Sequence, residues 1–288
     1  MASCIPRMNR DDFLRFMETP DSKSRIVEEY KSIVTKLEEG IYCLPEQTEE
    51  VEIKGCLSYL QFLYYGTQLK NNEVITRISF VDGYDVKQKF LCTKNPREED
   101  CGAFWKTVWD NQVELIVMMG QLNDKSYQYW SPQEKRVLVC GKFKVKTRKI
   151  MVYSCFTVTL LNLTATELQP KQMRSIIHCQ YTGWPNGNLC QAETFLNFYG
   201  YVDSVYLYLR DKNANKKCPP ILVHCFDGLG KSQVFCAIDI WITQFEMTKM
   251  LFLSDGFEEM REQKRGSINS PDLYVLCYQV MQNYLQRV

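Results

Sequence analysis

The segment Val223-His224-Cys225-Phe226-Asp227-Gly228-Leu229-Gly230-Lys231-Ser232 constrains this chain more than any other stretch. Residues 221–225, ILVHC, read as a short apolar strand that ends at a cysteine. Gly228 and Gly230 then permit a tight loop, and an apolar pattern from about Lys231 to Glu246 reads as a helix. Backbone N–H groups of such a turn converge at the helix N-terminus and make an anion cradle. A cysteine at its centre is expected to have a lowered pKa and to be a thiolate at neutral pH. A thiolate inside a phosphate cradle is a nucleophile aimed at phosphorus. The competing reading of Cys225 is a small buried hydrophobe at a strand end, as most free cysteines are. Gly230-Lys231-Ser232 also matches the end of a nucleotide-binding G-x-x-x-x-G-K-S loop, but its first glycine falls on Cys225 and no Walker-B partner is evident.

Composition narrows the setting. A chain of 288 residues with Lys+Arg 35 against Asp+Glu 34 is near neutrality, against a general nucleic-acid binder or a polybasic membrane protein. Its 45% hydrophobic content is enough for a core without staples. The 13 cysteines are odd in number and contain no C-x-x-C, so they are read as reduced cytosolic thiols. His178 and His224 are the two histidines, and no Cys/His cluster has zinc spacing, so no metal or cofactor is expected. The N-terminus lacks the apolar core of a signal peptide, and the run Ile150–Leu163 is too short to span a bilayer. A cytoplasmic monomer is expected, with an N-terminal extension over 1–24 and one domain over 25–288.

Periodicity gives the elements. Ile26, Val27, Tyr30, Ile33, Val34 and Leu37 share a helix face that Gly40 is expected to close. Residues 41–72 are irregular. Strands are read at 76–82 and 88–93, a helix over 101–110, a buried strand over 114–119, and paired strands over 137–145 and 150–163. Lys142, Lys144, Lys146 and Arg148 alternate and so share one strand face, read as a solvated hairpin or as a patch for an acidic or phosphorylated partner. A strand over 175–180, a helix over 191–210, the Cys225 segment and a helix over 272–286 complete an α/β layer fold.

The Cys225 segment resembles the H-C-x5-R-S/T loop of the protein tyrosine phosphatases, with Lys231 where that family has arginine. His178-Cys179-Gln180-Tyr181-Thr182-Gly183-Trp184-Pro185-Asn186 is similar to the family's His-x-Gln-Tyr-x-x-Trp-Pro-Asp segment, whose aspartate rides on a mobile lid. Phe80-Val81-Asp82-Gly83 with Lys89-Phe90, Phe104–Trp109 and Ile116–Met119 match further family segments in order, from about residue 25 to the end. The cysteine-rich, compact form resembles the tyrosine-phosphatase-like proteins of bracoviruses. The resemblance implies a highly twisted mixed β-sheet flanked by helices, and a Cys225 nucleophile in a phosphate-binding loop of Phe226, Asp227, Gly228, Leu229, Gly230, Lys231 and Ser232. It further implies that His224 supports the loop, that Ser232 helps the thiolate leave, and that Trp184 and Pro185 belong to the lid.

Departures from the family pattern decide the expected function. Lys231 keeps the charge but loses arginine's bidentate grip, at a cost of about ten- to a hundredfold. Asn186 stands at the position of the general acid, whose loss costs roughly 10²–10⁴-fold, and the competing reading of Asn186-Gly187 is simply a turn. Asp227 brings a negative charge beside the cysteine, where it opposes both thiolate and phosphate dianion. Asn269 and Leu273 fall where the family places two water-positioning glutamines. Lys54-Gly55-Cys56-Leu57 is the sole counterpart of the phosphotyrosine-ring loop. The expected protein is a catalytically impaired relative that binds phosphotyrosine proteins of a host cell and interferes with signalling. The alternative is a weakly active phosphatase working through a phosphocysteine at Cys225.

Overall fold

A computed structural model describes residues 5–42, 78–122, 126–167, 170, 172–185, 188–214 and 218–288. Among these residues the chain runs β1 (Met8–Asn9), α1 (Arg10–Glu18), α2 (Ser22–Tyr42), β2 (Ser79–Val81), β3 (Phe90–Lys94), α3 (Cys101–Asp110), β4 (Leu115–Met119), β5 (Val137–Cys140), β6 (Phe143–Val152), β7 (Phe156–Ala165) and β8 (Met173–Tyr181). It continues through α4 (Ala192–Lys212), β9 (Ile221–Cys225), α5 (Lys231–Thr248), β10 (Met250–Leu251), α6 (Leu253–Gln263) and α7 (Pro271–Leu285). This is an α/β fold built on a mixed eight-stranded sheet in the order β2-β3-β9-β4-β8-β7-β6-β5. Its centre, β3-β9-β4-β8, is parallel, and its flanks are antiparallel.

Strands β4 and β9 are buried at every position because both faces of the sheet's centre are covered. Leu115, Val117, Met119, Ile221, Val223 and Cys225 enter the larger core, shared with α2, α4, α5 and α7, while Ile116, Met118 and Leu222 enter a second core with α3. The alternation of strand side chains thus sends Cys225 and His224 to opposite faces of one strand end. On β6, Phe143, Val145 and Thr147 are buried while Lys144, Lys146 and Arg148 are exposed, and Lys142 pairs with Glu167 at 2.8 Å.

Three expectations are corrected. Helix α2 continues through Gly40 to Tyr42; a glycine costs a helix only about 1 kcal/mol and need not end it. The stretch read as two strands, 137–145 and 150–163, is three, because Gly141 adopts φ +55° and turns the chain between β5 and β6. The described residues before 25 pack on the rest of the chain: β1 pairs with β10, Phe13 stacks on Tyr278 at 5.9 Å, and buried Glu29 accepts from the Ile5 N–H at 2.6 Å. Cys101 and Cys140, 39 residues apart, form a disulfide with Cα atoms 5.5 Å apart, so the thiols are not all reduced. The irregular stretch, from residue 43 on, and its Lys54-Gly55-Cys56-Leu57 segment lie outside the described residues.

Candidate active site

The loop after β9 is held from behind by the second core. His224 and His178 are fully buried, and their Nε2 atoms lie 2.6 and 2.8 Å from the hydroxyl of buried Tyr129. One hydroxyl carries one proton, so it donates to one ring and accepts from the other, and the two imidazoles are opposite tautomers. Burial lowers both histidines to about 3, with the neighbouring His178 adding to the effect on His224, and both are neutral at pH 7. His224 therefore sits where a loop-supporting residue should. Tyr129 was absent from the sequence reading, because nothing in its local sequence marks it.

Glycine is required at position 228. Its φ is +73°, and a Cβ there would lie 2.8 Å from the Thr93 carbonyl oxygen. The Asn95 N–H donates to the Cys225 carbonyl at 2.8 Å, and the Ile268 N–H donates to the Leu229 carbonyl at 2.9 Å. Gln233 links the two loops: its amide donates to the Gly228 carbonyl at 3.3 Å and its oxygen accepts from the Ser267 hydroxyl at 3.2 Å. Helix α5 starts at Lys231, directly after Gly230, as the sequence pattern requires.

The front of the loop lines a cleft of about 310 Å³ with Met118, Met119, Phe226, Asp227, Lys231, Asn269 and Leu273 on its walls. Clefts of about 500 and 590 Å³ lie elsewhere, but neither is lined by a cysteine or histidine. The Cys225 side chain is buried at the base; its thiol donates to Asp227 Oδ1 at 3.1 Å, and Ser232 Oγ lies 3.1 Å from the sulfur. Burial, and then the Asp227 charge, push the thiol up to about 11, with the Ser232 bonds offsetting only part of the rise. Both effects work against the thiolate expected from the sequence, because the sulfur is buried and a carboxylate lies beside it.

Asp227 is exposed to the cleft. Desolvation opposes its ionisation, but the Leu229 N–H at 2.9 Å, the Cys225 thiol, the Gly230 N–H at 3.2 Å and the Asn269 amide at 3.3 Å together hold its carboxyl below the ordinary value. Asn269, at one of the two glutamine positions, is turned to Asp227, and Leu273, at the other, offers only an apolar wall. The half-buried Lys231 ammonium lies 5.2 Å from the Trp184 ring centroid, and burial lowers its pKa. Trp184 is buried against Tyr181 and Phe195, with its indole N–H donating to the Asn188 carbonyl at 3.1 Å. Pro185 is exposed, and Asn186 lies outside the described residues. The Phe226 side chain lines the cleft and is 54% exposed.

The comparisons with known proteins agree with this arrangement. The family model for protein-tyrosine phosphatase matches residues 70–283. A probable tyrosine phosphatase protein J2 of Microplitis demolitor bracovirus is 32% identical over 97% of this chain and 95% of its own length. Tyrosine phosphatase H2 of the same virus is 28% identical over 99% of this chain and 91% of its own. A rat tyrosine-protein phosphatase, non-receptor type 9, is 29% identical over 73% of this chain and 37% of its own length.

Proposed function

The chain belongs to the protein-tyrosine phosphatase family, and from that premise we propose that it is a catalytically impaired member. In this reading it engages phosphotyrosine-bearing proteins of a host cell and interferes with signalling through occupancy rather than turnover. The Asp227 carboxylate, seated on the loop's N–H donors beside the Cys225 sulfur, carries the reading. Burial and the Asp227 charge push the Cys225 thiol up, to about 11, which works against the attacking thiolate. Lys231 leans on Trp184 and provides a point charge where a bidentate grip would orient the phosphoryl group. By sequence, Asn186 cannot protonate a departing phenolate.

A host cytoplasm is the compartment that fits a signalling target. No helix among the described residues is long and apolar enough to cross a membrane. One observation favours residual activity: Ser232 keeps its 3.1 Å contact with the sulfur, the contact that would ease departure of a thiolate from a phosphocysteine. Such activity would be seen on an activated aryl phosphate, whose leaving group needs no acid.

Phosphate release from a phosphotyrosyl peptide, measured beside equilibrium binding of the same peptide, tests the proposal. The expected result is binding with a turnover about 10³-fold or more below that of an active family member. Brisk hydrolysis by the native chain would overturn it.

A further inference from the structure

We infer that Asp227 is the specificity-determining residue of the cleft: its carboxylate is a resident occupant of the anion cradle, and a phosphoryl group enters only by displacing it. Resting on the phosphotyrosine reading above, this adds what the ligand must compete with. The donors that should face a bound phosphate converge instead on one atom of the protein. Asp227 Oδ1 accepts from the Leu229 N–H at 2.9 Å, the Gly230 N–H at 3.2 Å and the Cys225 thiol at 3.1 Å. Asp227 Oδ2 accepts from the Asn269 amide, which comes from the neighbouring loop, at 3.3 Å. The carboxylate is therefore held by its own turn and by one neighbouring loop.

Charge reinforces the competition. A phosphomonoester dianion entering over a seated carboxylate meets repulsion in a partly desolvated cleft. Lys231 is the one cation on the described lining, and it rests over Trp184 rather than pairing with Asp227. Rotation of the aspartate out of its seat would leave two N–H donors, the Asn269 amide and the lysine for an incoming anion. The cleft is thus an anion site whose affinity is set by how readily Asp227 yields.

The test uses the full chain, labelled with nitrogen-15, and inorganic phosphate as the probe at neutral pH. The Leu229 and Gly230 amide signals report the cradle directly. Phosphate should bind Asp227→Ala at least about tenfold more tightly than the native chain, with both amides shifting. Asp227→Asn keeps the shape and removes the charge, and it serves if the alanine variant does not fold; its gain should be smaller but measurable. Equal phosphate affinity in native and variant chains, or tighter binding that leaves both amides unmoved, overturns the inference. Brisk native turnover of a phosphotyrosyl peptide would instead strike the proposed function, and the phosphate titration would still decide the role of Asp227.

Discussion

The two sides of the β9 strand end differ in what they retain. Behind the loop, Tyr129 bridges His224 and His178 by hydrogen bonds inside a core rich in aromatic rings, and Gly228 fits against the Thr93 carbonyl with no room for a Cβ. In front of it, burial and the neighbouring Asp227 carboxylate push the Cys225 thiol's pKa up, that carboxylate takes the loop's N–H donors, and the lysine turns to Trp184. The shape of the loop and the rate of its chemistry are therefore held by separate residues. A chain can keep the first while losing the second, because the groups behind stabilise the fold whether or not phosphate is ever released.

The comparison is broken most forcefully from the front. Asp227→Ala, Lys231→Arg and Asn186→Asp together should raise phosphotyrosyl hydrolysis by about 10³-fold or more, measured as phosphate release, with little change in stability. If the triple variant gains nothing, Asn269 and Leu273 are also limiting, and the front is more deeply altered than these three positions.

From behind, the effects should fall on stability. Reducing the Cys101–Cys140 disulfide, which closes a 39-residue separation beside α3, should lower the unfolding free energy by about 2–4 kcal/mol in urea titration. Tyr129→Phe leaves two buried imidazole nitrogens without their partner and should cost about 2 kcal/mol. The same pair gives a pH signature. His178 and His224 are held near 3 in the folded chain and return to ordinary values on unfolding, so below pH 6.5 the unfolded chain binds more protons. Stability should be fully present above about pH 6.5 and fall toward pH 3, by up to about 1.4 kcal/mol per pH unit for each histidine. The smallest effect belongs to Lys231→Met, which removes a half-exposed ammonium from the Trp184 face and should change stability by no more than about 1 kcal/mol.

Legibility in the sequence followed the range of the interactions. Helix α3 was read at Cys101–Asp110 and β4 to within one residue, because apolar periodicity there is local. The Cys225 loop, its glycines and the start of α5 were plain for the same reason. The β5–β6 break was hidden because apolar alternation runs on through Gly141, whose φ alone turns the chain. Helix α6 and the β1–β10 pair went unread, being short and stabilised by contacts distant in sequence, such as Met8 with Leu251. Tyr129 and the Cys101–Cys140 disulfide depend on tertiary placement, which no spacing reveals. The thiolate expectation rests on the loop and helix start, which are local in sequence, whereas the burial of the sulfur and the seating of Asp227 beside it, which oppose a thiolate, depend on tertiary placement.

The state of the Cys225 sulfur tests the account most directly. The rate of alkylation by iodoacetamide should be followed across pH by mass spectrometry of the Cys225 peptide, with Cys225→Ser as the blank. The expected profile rises late, with a midpoint near 11, and moves to lower pH in Asp227→Ala. A native midpoint at or below neutrality would mean a standing thiolate, and the separation of loop shape from turnover argued above would be contradicted.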